Sequence, residues 1–116
     1  MTLTGSSGGP LALGMLSTSP TIRRSRAARN GIRLAMRLSE GTEVVRIRIY
    51  RKTSSGRRLL SSGFKSPGAS GLYRVSQNHR ALRRALRVGR YEVEVTPGAS
   101  RSDLGTTSRY AFRVVR

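Results

Sequence analysis

The chain has 116 residues and no cysteine, so it is long enough for one domain, too short for two ordinary ones, and free of disulfides and thiolate metal sites. Its formal charge is +18, from 23 basic residues (all Arg except Lys52 and Lys65) against five acidic ones. Such a field draws polyanions such as nucleic acid, anionic lipid or acidic wall polymers, although a codon bias towards Arg produces the same excess.

Met1 to Gly9, rich in Thr, Ser and Gly, reads as a flexible segment ahead of a single domain over 10–116. Leu11, Leu13 and Met15 alternate weakly and suggest a first edge strand, with a turn over Ser17–Pro20. Ile22 to Gly31 reads as a basic connection, carrying Arg23, Arg24, Arg26 and Arg29 and ending in the turn dipeptide Asn30-Gly31. Ile32, Leu34, Met36 and Leu38 then alternate with Arg33, Ala35, Arg37 and Ser39. Leu, Ala and Met are good helix formers, but a helix needs apolar spacings of three and four, so the period of two decides for a strand. After Glu40-Gly41, Val45, Ile47 and Ile49 alternate with Arg46, Arg48 and Tyr50 in the best-defined strand of the chain. A hairpin loop over Thr53–Gly56 leads to a short edge strand within Arg57–Lys65, and Leu72–Val75 returns to extended chain.

His79 to Arg87 places Leu82, Ala85 and Leu86 at spacings of three and four, with Arg80, Arg83, Arg84 and Arg87 along the other side. Two helical turns and an irregular crossover both fit. The apolar parity changes between Leu86/Val88 and Tyr91/Val93, which predicts a bend or bulge at Gly89. Tyr91, Val93 and Val95 alternate with Glu92 and Glu94, and Tyr110, Phe112 and Val114 alternate with Ala111 and Arg113. The two runs read as an antiparallel hairpin, with Pro97, Gly98 and Gly105 marking where pairing stops. Six or seven short strands, no long helix and frequent turns predict an all-β antiparallel sandwich.

The residues that carry chemistry are few. His79 is the only histidine and has no partner set for zinc, so no metal, cofactor or catalytic residue is assigned. Glu92 and Glu94 share one strand face, about 7 Å apart. They are expected to form a negative stripe between the strands of Arg46/Arg48 and Arg109/Arg113, not the facing carboxylates of a glycoside hydrolase. Neither a Gly-x-Ser-x-Gly elbow nor a phosphate loop is present, and the expected protein is no enzyme. The Arg runs over 23–29, 57–58 and 80–90 suit phosphates, and sparse aromatics make such binding sequence-blind. Tyr50 and Tyr73 are the candidates for a carbohydrate platform. Tyr91 is expected to form a tyrosine corner, its hydroxyl bonded between His79 and Val88.

Leu16–Pro20, Ile32–Glu40, Val45–Ile49, Leu86–Val93 and Phe112–Arg116, with the Leu86-x-x-Gly89-x-Tyr91 stretch opening the penultimate strand, give the chain a family likeness. Over roughly residues 16–116 it resembles bacterial immunoglobulin-like modules, including the Arg-rich immunoglobulin-like and fibronectin-like repeats of surface and secreted proteins of high-GC soil bacteria and the flagellar hook-capping type. It departs from them at Val88, where a Pro or Lys-Pro is usual, and at Asp103–Thr107, where an Asp-x-x-Gly-Asn turn is usual. The resemblance implies an antiparallel immunoglobulin-like sandwich without catalytic residues. It implies a structural or adhesive module of a cell surface or extracellular assembly, with neighbouring modules, identical subunits or anionic wall polymers as partners. The other reading is a basic polyanion-binding protein, nucleic-acid- or virion-associated, using Arg23, Arg24, Arg26, Arg29, Arg80, Arg83, Arg84 and Arg87. No apolar run approaches the roughly 20 residues of a membrane span. Residues 1–16 lack the positive start and continuous apolar stretch of an ordinary signal peptide, so export is expected to need a longer parent chain or another route.

Overall fold

A computed structural model of the chain describes residues 11–116; the flexible segment expected over 1–9 lies outside the described residues. Within these described residues nine strands and two short helices follow in order. They are β1 (Met15–Ser17), β2 (Thr21–Arg23), α1 (Arg24–Asn30), β3 (Ile32–Leu38), β4 (Val44–Thr53), β5 (Gly56–Lys65), β6 (Gly71–Gln77), α2 (Arg80–Ala85), β7 (Gly89–Ser100), β8 (Asp103–Leu104) and β9 (Ser108–Val115). Six of the strands have seven residues or more: β3, β4, β7 and β9 are those that the alternation predicts, and β5 and β6 fall on the edge strand expected within Arg57–Lys65 and the extended chain expected over Leu72–Val75. The fold is all-β.

One sheet has the order β1-β3-β6 and the other β2-β9-β7-β4-β5, with β8 added to β7. Leu34 and Met36 from the smaller sheet meet Ile47, Val93, Phe112 and Val114 from the larger in one buried core. Each such side chain contributes roughly 1.5–3 kcal/mol on leaving water, so the inward faces decide the register. Arg33, Arg37 and Arg113 point outward and are exposed, as the period of two requires. Arg46 and Arg48 also point outward but are half-buried, because Thr96 and Glu94 stand directly beside them on β7. Arg48 Nε donates to Ser62 Oγ at 3.3 Å.

The first strand is shorter than the alternation suggests, starting at Met15 beside Arg37. The chain then changes sheets. β1 pairs antiparallel with β3, and after Pro20 the chain enters β2, which pairs parallel with β9 and sets Ile22 beside Val114. Two bonds fix the crossing: Thr18 Oγ1 donates to Arg33 O at 2.6 Å, and Arg113 N–H donates to Pro20 O at 3.0 Å.

Four expectations need correction. Ile22–Gly31 is no loop: it comprises β2 and the helix α1. β5 is an edge strand but a long one of ten residues, with Leu60 as the extra residue of a bulge opposite Ile49/Tyr50. Of the bend or bulge expected at Gly89, no bulge forms, since the β7–β9 register is unbroken from Gly89↔Val114 to Val95↔Ser108, and the bend lies one residue earlier, at Val88. The parity changes there because Leu86 closes a helix, its N–H bonded to Leu82 O at 3.1 Å. Finally, β7 continues through Pro97 and Gly98 to Ser100. What stops at Val95 is pairing with β9; β8 takes over, and Gly105 N–H donates to Pro97 O at 2.7 Å.

The tyrosine corner is present. The Tyr91 hydroxyl donates to Arg87 O at 2.6 Å and accepts from Arg87 N–H at 2.8 Å, tying β7 to the end of α2.

Candidate polyanion interface

The two helices cap the same end of the sandwich, where β7 begins, and they pack against each other. α1 is built from good helix formers, Arg and Ala, and buries Ala27 completely while Arg24, Arg26 and Arg29 stay exposed. Spacings of three put Arg23, Arg26 and Arg29 on one side of it. Gly31 ends it: its φ is 69°, its N–H donates to Ala27 O at 2.9 Å, and a Cβ there would lie 2.1 Å from Gln77 O. Only glycine fits that junction. In α2, Leu82 and Leu86 are buried and Arg80 and Arg84 stand outward, resolving His79–Arg87 in favour of a helix.

Neither helix has a side-chain cap or an acidic residue in its first turn. With basic residues at both ends, the macrodipole gives no net help, so packing holds these helices in place. Arg83 does part of that work. Its Nε donates to Asn78 O at 2.8 Å and its guanidinium to Ala28 O at 3.3 Å, bridging α2 to α1.

Three adjoining depressions cross this end. A cleft of about 580 Å³ is lined by Arg23, Arg26 and Arg29 together with Arg33 of β3. A groove of about 300 Å³ between the helices is lined by Ala28, Arg80, Arg83 and Arg84. A third, of about 330 Å³, runs between α2 and the strands, with Arg84 and Arg87 facing Arg51 and Arg58 over Leu60 and Ala85. Seven of the eight arginines singled out in the sequence are thereby gathered at one end; Arg24 lines none of the three. Arg33 and Arg51 had not been singled out. For Arg51 a signal existed, since it continues the inward parity of Val45, Ile47 and Ile49 beyond the apolar run, which marks a strand emerging at the rim.

No carboxylate lines these depressions. Glu40 and Glu43 lie in the β3–β4 turn and Asp103 in β8, at the opposite end, where Glu43 N–H donates to Gly98 O at 2.9 Å. The other two acids sit on the outer face of the larger sheet. One nitrogen of Arg57 lies 2.7 Å from both Glu92 and Glu94, and Arg109 Nε lies 2.7 Å from Glu94. The stripe between positive strands therefore exists, with Arg109 as foreseen but with Arg57 reaching over β4 in place of Arg46 and Arg48. Arg57, part of the 57–58 run, is thus committed to carboxylates, and the hydrogen bonds it donates to Glu94 and then to Glu92 raise its pKa.

The aromatic residues stand elsewhere. Tyr91 and Phe112 stack in the core at 5.4 Å between ring centres. Tyr50 lies under Arg57 at 4.1 Å and Phe64 under Arg101 at 5.1 Å. Tyr73, opposite Met36 on β6, packs against the core, where burial raises its pKa. Tyr50 and Tyr73 belong to different sheets and form no common platform. His79 is exposed at the start of α2, and no cluster of metal-ligating side chains occurs among the described residues. Among these residues no helix is long and apolar enough to cross a membrane. No protein-family model matches the chain, and no curated protein matches it in sequence.

Proposed function

We propose that the protein is a non-catalytic β-sandwich module that binds an extended, phosphate-bearing polyanion on the end capped by α1 and α2. One observation carries this reading: arginines distant in sequence converge on adjoining grooves that no carboxylate lines. The partner with the best match is a nucleic-acid backbone. The two shorter dimensions of the molecule are 29 and 22 Å, and one duplex strand presents about eight phosphates over 29 Å. With no stacking aromatic in the grooves, binding reads charge and not sequence.

The test is a titration of mixed-sequence DNA duplex against salt. Affinity should fall by roughly 10³ between about 50 and 200 mM if six or more phosphates are contacted. Arg80→Ala/Arg84→Ala/Arg87→Ala should flatten the log–log slope by up to about three, the number of contacts removed. An unchanged slope would place the contacts elsewhere and sink the proposal.

A second reading is favoured by Tyr91, whose corner fits the Leu86-x-x-Gly89-x-Tyr91 signature of the bacterial immunoglobulin-like modules. It makes the chain a structural or adhesive module of a cell surface or extracellular assembly, with neighbouring modules, identical subunits or anionic wall polymers as partners. On that reading duplex binding at about 150 mM salt stays near or above 10⁻⁵ M and shows no preference between DNA and RNA. Specific binding below about 10⁻⁸ M under those conditions argues against it.

A further inference from the structure

The cleft beside α1 is the roomiest of the three depressions, about 580 Å³ against about 300 and about 330 Å³, and three separate parts of the chain line it. α1 with its N-cap supplies Arg23, Arg26 and Arg29, β3 supplies Arg33, and the sheet-changing segment supplies the hydroxyl side chains of Thr18 and Thr21. Its walls are fixed. Thr18 is buried and bonded to Arg33 O, Ile22 and Ala27 are anchored in the core, and Gly31 is locked against Gln77. Four arginines therefore line one space of about 580 Å³ with no carboxylate among its lining residues. In that arrangement each charge raises the energy of the others, and an anion bridging them relieves all four. The guanidinium fork suits phosphate oxygens in paired hydrogen bonds, and the Thr21 hydroxyl adds a neutral donor, whereas that of Thr18 is already given to Arg33 O. The space exceeds one phosphate and suits several linked ones.

We propose that this cleft is a discrete binding site for a chain of linked phosphates, either a free oligophosphate group or a short run of nucleic-acid backbone. The inference rests on the polyanion reading for the sign of the charge, but it makes a separate demand: saturable binding of a small ligand at one place.

The experiment uses the full chain and inorganic triphosphate, followed by calorimetry at about 150 mM salt, where diffuse attraction is largely screened. One-to-one saturable binding is expected. Arg26→Ala/Arg29→Ala should weaken it by about tenfold or more, and Arg80→Ala/Arg84→Ala by less than about threefold. Arg33→Ala, on a strand and independent of the helix, should act like the first pair, which covers the case where the helix variant fails to fold. Backbone amide shifts of Thr18, Thr21 and Asn30 should move on titration. Non-saturating binding, or equal losses in the α1 and α2 variants, would overturn the site while leaving duplex binding by the helical end intact. A parallel arm with a short duplex separates the two sources: competition by triphosphate points to backbone phosphates using the same cleft, and its absence points to a free oligophosphate.

Discussion

Tyr91 is where packing and hydrogen bonding meet in this molecule. Its ring is fully buried against Phe112, and its hydroxyl satisfies both the N–H and the carbonyl of Arg87. Tyr91→Phe keeps the ring and removes both bonds, at a cost of roughly 1–2 kcal/mol, tempered because Arg87 is exposed and water can reach it. A denaturant midpoint equal to that of the unaltered chain would show the corner to be energetically idle. Glu94 gives a prediction in pH. Burial alone would raise its pKa, but the hydrogen bonds from Arg57 and Arg109 outweigh this and hold it below its ordinary value of 4.5. A carboxyl with a depressed folded pKa stabilises fully above its unfolded pKa, and that contribution is lost as pH falls through the lower folded value. The denaturant midpoint should therefore decline on acidification below about pH 4.5, and less steeply in Glu94→Gln. Parallel declines in the two proteins would show that other groups dominate.

Among the elements, β4 sets the clearest contrast between its two faces. Ile47 is fully buried on β4, between β7 and β5, so Ile47→Ala should cost roughly 2–5 kcal/mol. Arg46, one residue earlier and facing outward, should cost under about 1 kcal/mol on truncation to Ala. Equal losses in urea melts would contradict the register. β3, β4, β7 and β9 were legible because their period of two survives the polar residues on the outer face, even in the Leu/Ala/Met-rich β3, whereas β5 has no such period and its full length was not legible. α1 was not legible. Ala27 is its one buried residue, so it shows no apolar spacing to read, and it lacks both a capping side chain and an acidic first turn. The same absence hid the candidate site, since Arg33 belongs to a strand face and Arg26 to an unrecognised helix, and only the Gly31 junction brings them together. Gly31→Ala tests that junction: with φ at 69° and Gln77 O in the way, the cost should be on the order of 2 kcal/mol or more. A neutral melt would mean that the α1–β3 connection relaxes freely.

At the scale of the whole molecule the charge is unevenly compensated. Of the five carboxylates, Glu92 and Glu94 are engaged by Arg57 and Arg109, and the remaining three lie at the end away from the helices. The molecule is 50 Å long, while the screening length at physiological salt is about 8 Å, so the distant acids do not neutralise the helical end. Two effects of salt then oppose each other. Screening relieves repulsion among the grouped arginines, and it also weakens the Arg57 and Arg109 ion pairs. Those pairs are few and their arginines face solvent, whereas the repulsion of a +18 chain is shared by every basic group, so the first effect wins. The melting temperature should rise as sodium chloride goes from about 10 to about 150 mM and then level off as the screening length falls below the spacing of the charges. Arg80→Ala/Arg84→Ala/Arg87→Ala should melt higher than the unaltered chain at the low-salt end, because alanine keeps the helix propensity of α2 while three unpaired charges are gone. The gap should close as salt is added. A variant that melts lower at every salt concentration would mean that these arginines support the fold through their packed stems, and that the helical end is not held under electrostatic repulsion.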